Sequence, residues 1–251
     1  MTKTYLSTDC EFAWDEDLYE AHRSIDRKSK HHAIAVKRVI AAATFEFAVD
    51  DEGRVSTGAV SSWTEHQFGD EQAVVSELFC HLRMREEVPI LTYGGLATDI
   101  PVLLLASMGH QLPLPHQLTD QPGRKGPRPH LDLGLMLKGG GRTWSHLSQV
   151  LLRIGVPTEL VSAKASVSHP KSAAEWKDMR DHVELDTLLL AIAKIAWLVA
   201  QGTSGLRFAP AVIALIAGFL RRRSEHRAAV PLREYSEDLQ QSIAEDYALA
   251  A

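Results

Sequence analysis

An α/β fold with a mixed central sheet covered by helices on both sides is predicted by three observations along the 251 residues. The chain opens on three strand-like stretches, residues 4–13, 38–49 and 54–63, and the last two flank the turn Asp50-Asp51-Glu52-Gly53, a hairpin signal. Two later apolar stretches, residues 88–93 and 130–133, read as strands separated by a helix. A long helical pattern over residues 173–200 follows them. An antiparallel start, then alternating helices and strands, then helices alone, is the order of an α/β sheet.

The bulk composition limits the alternatives. With 45% apolar residues the chain can bury a full core. A net charge of -5 supplies no global attraction for nucleic acid, so any such binding must come from local patches. The two cysteines, Cys10 and Cys80, fall in contexts that read as buried strand and buried helix, which suits a reducing, cytoplasmic setting. No secretory leader is read at the start. The longest apolar run, residues 208–220, is shorter than the roughly 20 residues a bilayer span needs, so no membrane association is expected.

Each element has its own signal. Residues 22–37 are rich in Arg, Lys and His with little apolar period, and read as an exposed excursion. Apolar positions recur at helical spacing over 70–85. Gly94-Gly95 breaks the strand at 88–93, and residues 97–108 look helical with Asp99 at the start. The stretch 112–129, dense in Pro, Gly and Gln, is a long loop. After the strand at 130–133 and Gly139-Gly140-Gly141, a helix is expected over 143–154. Residues 210–249 hold two helical segments broken near Pro231. Two parts are expected: residues 1–203 as the main domain, and 204–251 as a C-terminal helical extension packed on it.

Three short segments carry the chemistry. In the first strand Asp9 and Glu11 are two apart and aim at one spot, while Cys10 faces the other way. Crowded carboxylates repel each other unless a cation sits between them, and a divalent metal is the natural partner. The second segment, from Thr92 to Leu103, places Asp99 at a strand exit where a helix start tolerates an anion. The third lies on the long helix, where His182 and Asp186 are four apart on one face. Taken singly, Asp9 and Glu11 also suit a solvated edge strand, Asp99 a helix cap, and His182 a surface ion pair.

Together these residues resemble the DEDD exonucleases, most closely the stand-alone relatives of the proofreading domain of family B DNA polymerases. The resemblance runs from Thr4 to Gly202 and rests on Asp9 with Glu11, on Gly94-Gly95 followed by Asp99 and Pro101, and on His182 with Asp186. His130-Leu131-Asp132-Leu133 and Ile154-Gly155-Val156-Pro157 are similar to that family as well. It implies a ribonuclease H-like fold and two-metal hydrolysis of phosphodiesters at the 3′ end of DNA or RNA, with single strands favoured. By that resemblance Asp9, Glu11, Asp99 and Asp186 would bind two Mg²⁺ or Mn²⁺ ions, and His182 would orient the attacking water. His182 has the spacing of the tyrosine-type subclass and the residue of the histidine-type one. Gly94 and Thr98 stand where the family carries an amide and an aromatic ring. That departure motivates a second reading, a nucleic-acid-binding module that keeps the fold and has lost turnover.

Basic clusters are the expected substrate contacts: Arg23, Arg27, Lys28 and Lys30; Arg124, Lys125 and Arg128; and Arg221, Arg222 and Arg223. The second cluster, on the long loop, is the preferred one. Asp132 reads as structural, Met84, Met108 and Met136 as core filling, and His31 and His32 as solvated surface.

Overall fold

The computed structural model describes residues 2–25, 34–119, 129–138, 141, 145–162 and 169–250. The elements follow in chain order as β1 (Lys3–Trp14), α1 (Glu16–Ile25), β2 (Lys37–Val49), β3 (Val55–Thr64), α2 (Glu65–Phe68), α3 (Glu71–Arg83), β4 (Ile90–Thr92) and α4 (Asp99–His110). Then come β5 (His130–Asp132), α5 (Leu133–Lys138), α6 (Leu147–Arg153), α7 (Thr158–Ser162), α8 (Ala173–Ala200), α9 (Phe208–Arg222) and α10 (Ala229–Ala250). The sheet order is β3-β2-β1-β4-β5. β1, β2 and β3 pair antiparallel, whereas β1 with β4 and β4 with β5 pair parallel.

Strand alternation sorts the side chains into two cores. One face sends Tyr5, Phe45 and Phe47 into a cluster with Leu185, Leu188, Leu189 and Ile192 of α8 and with Val212, Leu215 and Phe219 of α9. The other sends Leu6, Cys10, Val39 and Ala42 against Val74, Leu78 and Phe79 of α3 and Ile100, Val102 and Leu103 of α4. The result is a helix, sheet, helix sandwich, as the element order predicts. The apolar run of α9 is a packed cover: Phe219 meets Phe45 edge to face, with centroids 6.0 Å apart. Among the described residues no helix is long and apolar enough to cross a membrane.

Several local expectations are corrected. The stretch read as an exposed excursion from residue 22 begins inside a helix, α1, which runs to Ile25 and has no buried residue. Its apolar positions carry little tertiary burial, so the pattern gave it no weight. Cys80 is exposed, because α3 turns residues 77, 80 and 83 outward while Val75, Leu78, Phe79 and Leu82 form its buried stripe. Met84, Met108 and Met136 are exposed for the same reason; Met108 shares the outer stripe of α4 with Leu105. Pro231 does not break a helix. It sits in the first turn of α10, where its missing N–H is not needed, and the break falls at residues 223–228.

Candidate metal and nuclease site

β1 outruns β4. Its parallel pairs with β4 are Leu6 with Ile90 and Ser7 with Leu91, so Asp9 and Glu11 lie beyond the carboxyl end of β4. On the β2 side they face Ala43 and Ala41. These alanines are small enough for α8 to pack close, with Met179 and Val183 against Ala41 and Ala43. The cleft beyond strand ends, at the point where the sheet changes direction, is where ligands bind in open α/β sheets.

α8 delivers its two residues from the facing side. His182 and Asp186 are both buried, at 5% exposure. The His182 imidazole donates through Nε2 to Glu11 Oε1 at 2.8 Å, and the same nitrogen lies 3.8 Å from Asp186 Oδ2. One ligand atom from each of Glu11, His182 and Asp186 falls within 4.8 Å of the others, close enough to surround one ion. Asp9 stands two residues back on the same strand face and outside that tight group.

Asp99 arrives by a different route. After β4, Gly94 takes a left-handed turn at φ 70°, a conformation that favours glycine. A side chain at Gly95 would meet Thr92 Oγ1 at 2.4 Å, so the chain can fold back here only without one. The Asp132 carboxylate at the end of β5 clamps this turn, accepting from the backbone N–H groups of Gly94 at 2.8 Å and Leu96 at 3.0 Å, and from that of Leu135 at 3.1 Å. Asp99 then becomes the first residue of α4. The cap position belongs to Thr98, so Asp99 is not the cap the bland reading assigned.

Electrostatics tie the first two segments together, and the contact of His182 with Glu11 joins the third to them. Burial, then the neighbouring carboxylates of Glu11 and Asp132, push the Asp99 carboxyl up from 3.8 to about 7, with Lys37 opposing. The Cys10 thiol, on the opposite face of β1, is pushed up by burial and then by Asp99, Asp9 and Glu11. The acids therefore converge in one region of concentrated negative charge. Such a region favours a cation, and its oxygen donors suit a hard one.

A second group, Asp181, Glu184 and His226, also meets the distance test for three ligands. Its charges are already answered by the protein. Lys177 Nζ donates to Asp181 Oδ2 at 2.6 Å, Arg223 Nε donates to Glu184 Oε2 at 2.7 Å, and Ser62 Oγ donates to Glu184 Oε1. His226 Nε2 donates to the Asp181 carbonyl at 2.7 Å. This is a polar joint that fastens the α9 to α10 connection onto α8. Arg222 and Arg223, expected among the substrate contacts, hold protein oxygens here: Arg222 donates to the backbone oxygens of Thr57 and Gly218.

The preferred substrate contacts Arg124, Lys125 and Arg128 lie outside the described residues, as do Arg27, Lys28, Lys30, His31 and His32. The clamp role of Asp132 and the position of Lys37 beside Asp99 were not read from the sequence. The one sequence signal for the clamp was the repeated strand-exit aspartate, at 99 and again at 132.

No protein-family model and no curated protein sequence matches the chain. Among solved structures, the family B DNA polymerase from the hyperthermophilic archaeon Pyrobaculum calidifontis aligns with a TM-score of 0.50 and 16% identity, over 88% of this chain and 29% of that chain. Exonuclease I of E. coli in a zinc-bound complex with single-stranded DNA aligns with a TM-score of 0.38 and 15% identity, over 80% of this chain and 42% of that one. The complex of the same enzyme with a dA16 oligonucleotide gives a TM-score of 0.37 and 14% identity, over 75% and 40%. The chain thus spans less than half the length of each of these proteins. It has the ribonuclease H-like fold, a mixed five-stranded sheet flanked by helices, which it shares with part of the Pyrobaculum calidifontis polymerase.

Proposed function

We propose that the chain is a metal-dependent nuclease that removes nucleotides from the 3′ end of a nucleic-acid strand, DNA or RNA, with single strands favoured. The observation that carries this reading is the convergence of Glu11, His182 and Asp186 within 4.8 Å, beside an Asp99 carboxyl raised to about 7. Burial first, and then the carboxylates of Glu11 and Asp132, hold it there, with Lys37 opposing. Divalent ions fit this donor set, since carboxylate oxygens are hard ligands and the thiol of Cys10 faces the other core.

In this reading Asp9, Glu11, Asp99 and Asp186 hold two Mg²⁺ or Mn²⁺ ions. When bound, the pair supplies Lewis acidity that activates water and offsets the charge on the departing 3′ oxygen. Glu11 and Asp186 fix the position of the charged site between β1 and α8. His182, held by Glu11, orients the attacking water. Asp132 keeps Asp99 in place by clamping the turn before it.

Incubation with a 5′-labelled single strand and Mg²⁺ or Mn²⁺ tests the proposal. A ladder shortening from the 3′ end, abolished in Asp186→Ala, is the expected result. Intact strand in wild type and variant alike overturns it. Strand binding without cleavage is the outcome for a module that has lost turnover, the reading favoured by Gly94 and Thr98 in the second segment.

A further inference from the structure

The far end of β1 carries a surface that the site itself does not use. Trp14, three residues beyond Glu11, is 43% exposed and pairs across the sheet with Lys37 of β2. The Lys37 ammonium lies over the Phe12 ring, 5.4 Å from its centroid. It is also close enough to Asp99 for its charge to act on that carboxyl. On the other side of Trp14 the chain turns back through Asp15, whose carboxylate accepts from the backbone N–H of Leu18 at 2.8 Å, and enters α1. Tyr19 then meets the Trp14 indole edge to face, at 5.5 Å and 80°. One turn further on, the Arg23 guanidinium sits 5.7 Å over the Tyr19 ring. Two cations thus flank three rings, Lys37, Phe12, Trp14, Tyr19 and Arg23, along the Cys10 face of β1, and the row begins on the Asp99 side of the candidate metal site.

α1 is ten residues long and none of them is buried, although isolated helices of that length are marginal in water. Among the described residues, the Trp14 to Tyr19 contact and the Asp15 turn help hold it to β1. An exposed indole between two ring-stacked cations does not resemble an unfinished core face, which would be continuous and apolar. It matches the chemistry of a single strand, whose bases stack on aromatic rings while its phosphates meet cations.

We propose that Trp14, with Tyr19, Phe12, Lys37 and Arg23, forms a stacking platform that holds the unpaired nucleotides leading to the 3′ end of a single-stranded nucleic acid. The proposal rests on the nuclease reading above and adds to it the surface that grips the strand and the path by which it enters. Stacking, more than charge, carries the grip here. Glu16 and Asp17 occupy the first turn of α1, so the platform offers two cations, and the salt dependence of binding is shallow: a slope of about -1.4 in log K against log salt for two phosphate contacts.

The test is fluorescence anisotropy of a 5′-fluorescein-labelled oligo(dT) with the full chain in calcium buffer, alongside the 3′-end cleavage assay with Mg²⁺ or Mn²⁺. Trp14→Ala is expected to weaken binding at least fivefold, and Trp14→Phe to weaken it less. Added oligo(dT) is expected to quench part of the tryptophan emission of the wild type, and that part disappears in Trp14→Phe, which keeps an aromatic ring against Tyr19. Lys37→Gln flattens the salt slope. If wild type cleaves the strand and both Trp14 variants bind it as wild type does, the platform is wrong and the nuclease reading stands. If wild type binds through Trp14 without cleaving, the platform stands and the nuclease reading falls. Absence of binding by wild type overturns both.

Discussion

The His182 imidazole reaches across from α8 to donate its Nε2 proton to Glu11 on β1 at 2.8 Å, joining residues 171 positions apart. A carboxylate only accepts, so this contact is a hydrogen bond when Nε2 carries the proton. The protein thus places a donor of its own against one acid of the cluster. That contact also sets the approach of α8 to β1, with Asp186 beside it.

Metal binding should depend on those acids and be visible as stability. Mn²⁺ at about 100 times its dissociation constant stabilises the folded chain by about 2.7 kcal/mol, a rise in melting temperature of roughly 5–10 °C for a chain of this size. Differential scanning fluorimetry should show this rise for wild type. Glu11→Gln and Asp186→Asn should show little or none of it.

His182 should separate binding from turnover. His182→Asn is expected to keep most of the Mn²⁺-induced rise in melting temperature while 3′-end cleavage falls to background. An equal loss of both would make His182 a ligand in its own right.

His81 should give stability a mildly acidic threshold. The ring is buried between Thr44, whose hydroxyl lies 3.0 Å from Nε2, and Trp63, at 5.0 Å between centroids. Burial, then the Arg85 charge, hold its pKa down at about 4 from an ordinary 6.5. As pH falls below 6.5 the unfolded chain takes up a proton that the folded chain refuses until about 4. Stability is therefore complete above 6.5 and is lost across that window, by at most about 3 kcal/mol. Urea unfolding at several pH values should show a shallower loss over that window in His81→Gln.

The polar joint on α8 should be costly to break from one side. Glu184 is 0% exposed and Arg223 is its cationic partner. Arg223→Ala leaves a buried carboxylate without that partner and should destabilise the chain by about 3–5 kcal/mol. Replacing both, as Arg223→Leu with Glu184→Leu, should cost less than the single change. Denaturant midpoints compare the two.

At Gly218, α9 packs directly against Thr57 of β3. A methyl group there would lie 2.1 Å from Thr57 Oγ1, so Gly218→Ala forces the helix off the sheet. Overpacking of this kind typically costs about 1–3 kcal/mol, and thermal melting should register it without loss of Mn²⁺ binding.

What the sequence determined on its own is periodic and local. Two-residue alternation put Asp9 and Glu11 on one face of β1 and Cys10 on the other, and the four-residue spacing of His182 and Asp186 put them together on α8. The order of elements was enough for a mixed sheet between two helical layers. Solvent-facing stripes were harder: Cys80 and Met108 carry apolar side chains on outward positions, and residue type alone hides that. The tertiary structure decided what no spacing encodes. Only the crossing of α8 over β1 brings Glu11 within 2.8 Å of His182, and only the Asp132 clamp, reaching from β5, turns the chain so that Asp99 starts its helix beside them. Distances between remote segments are set by how whole elements pack, and packing depends on the summed shapes of many side chains rather than on any one motif.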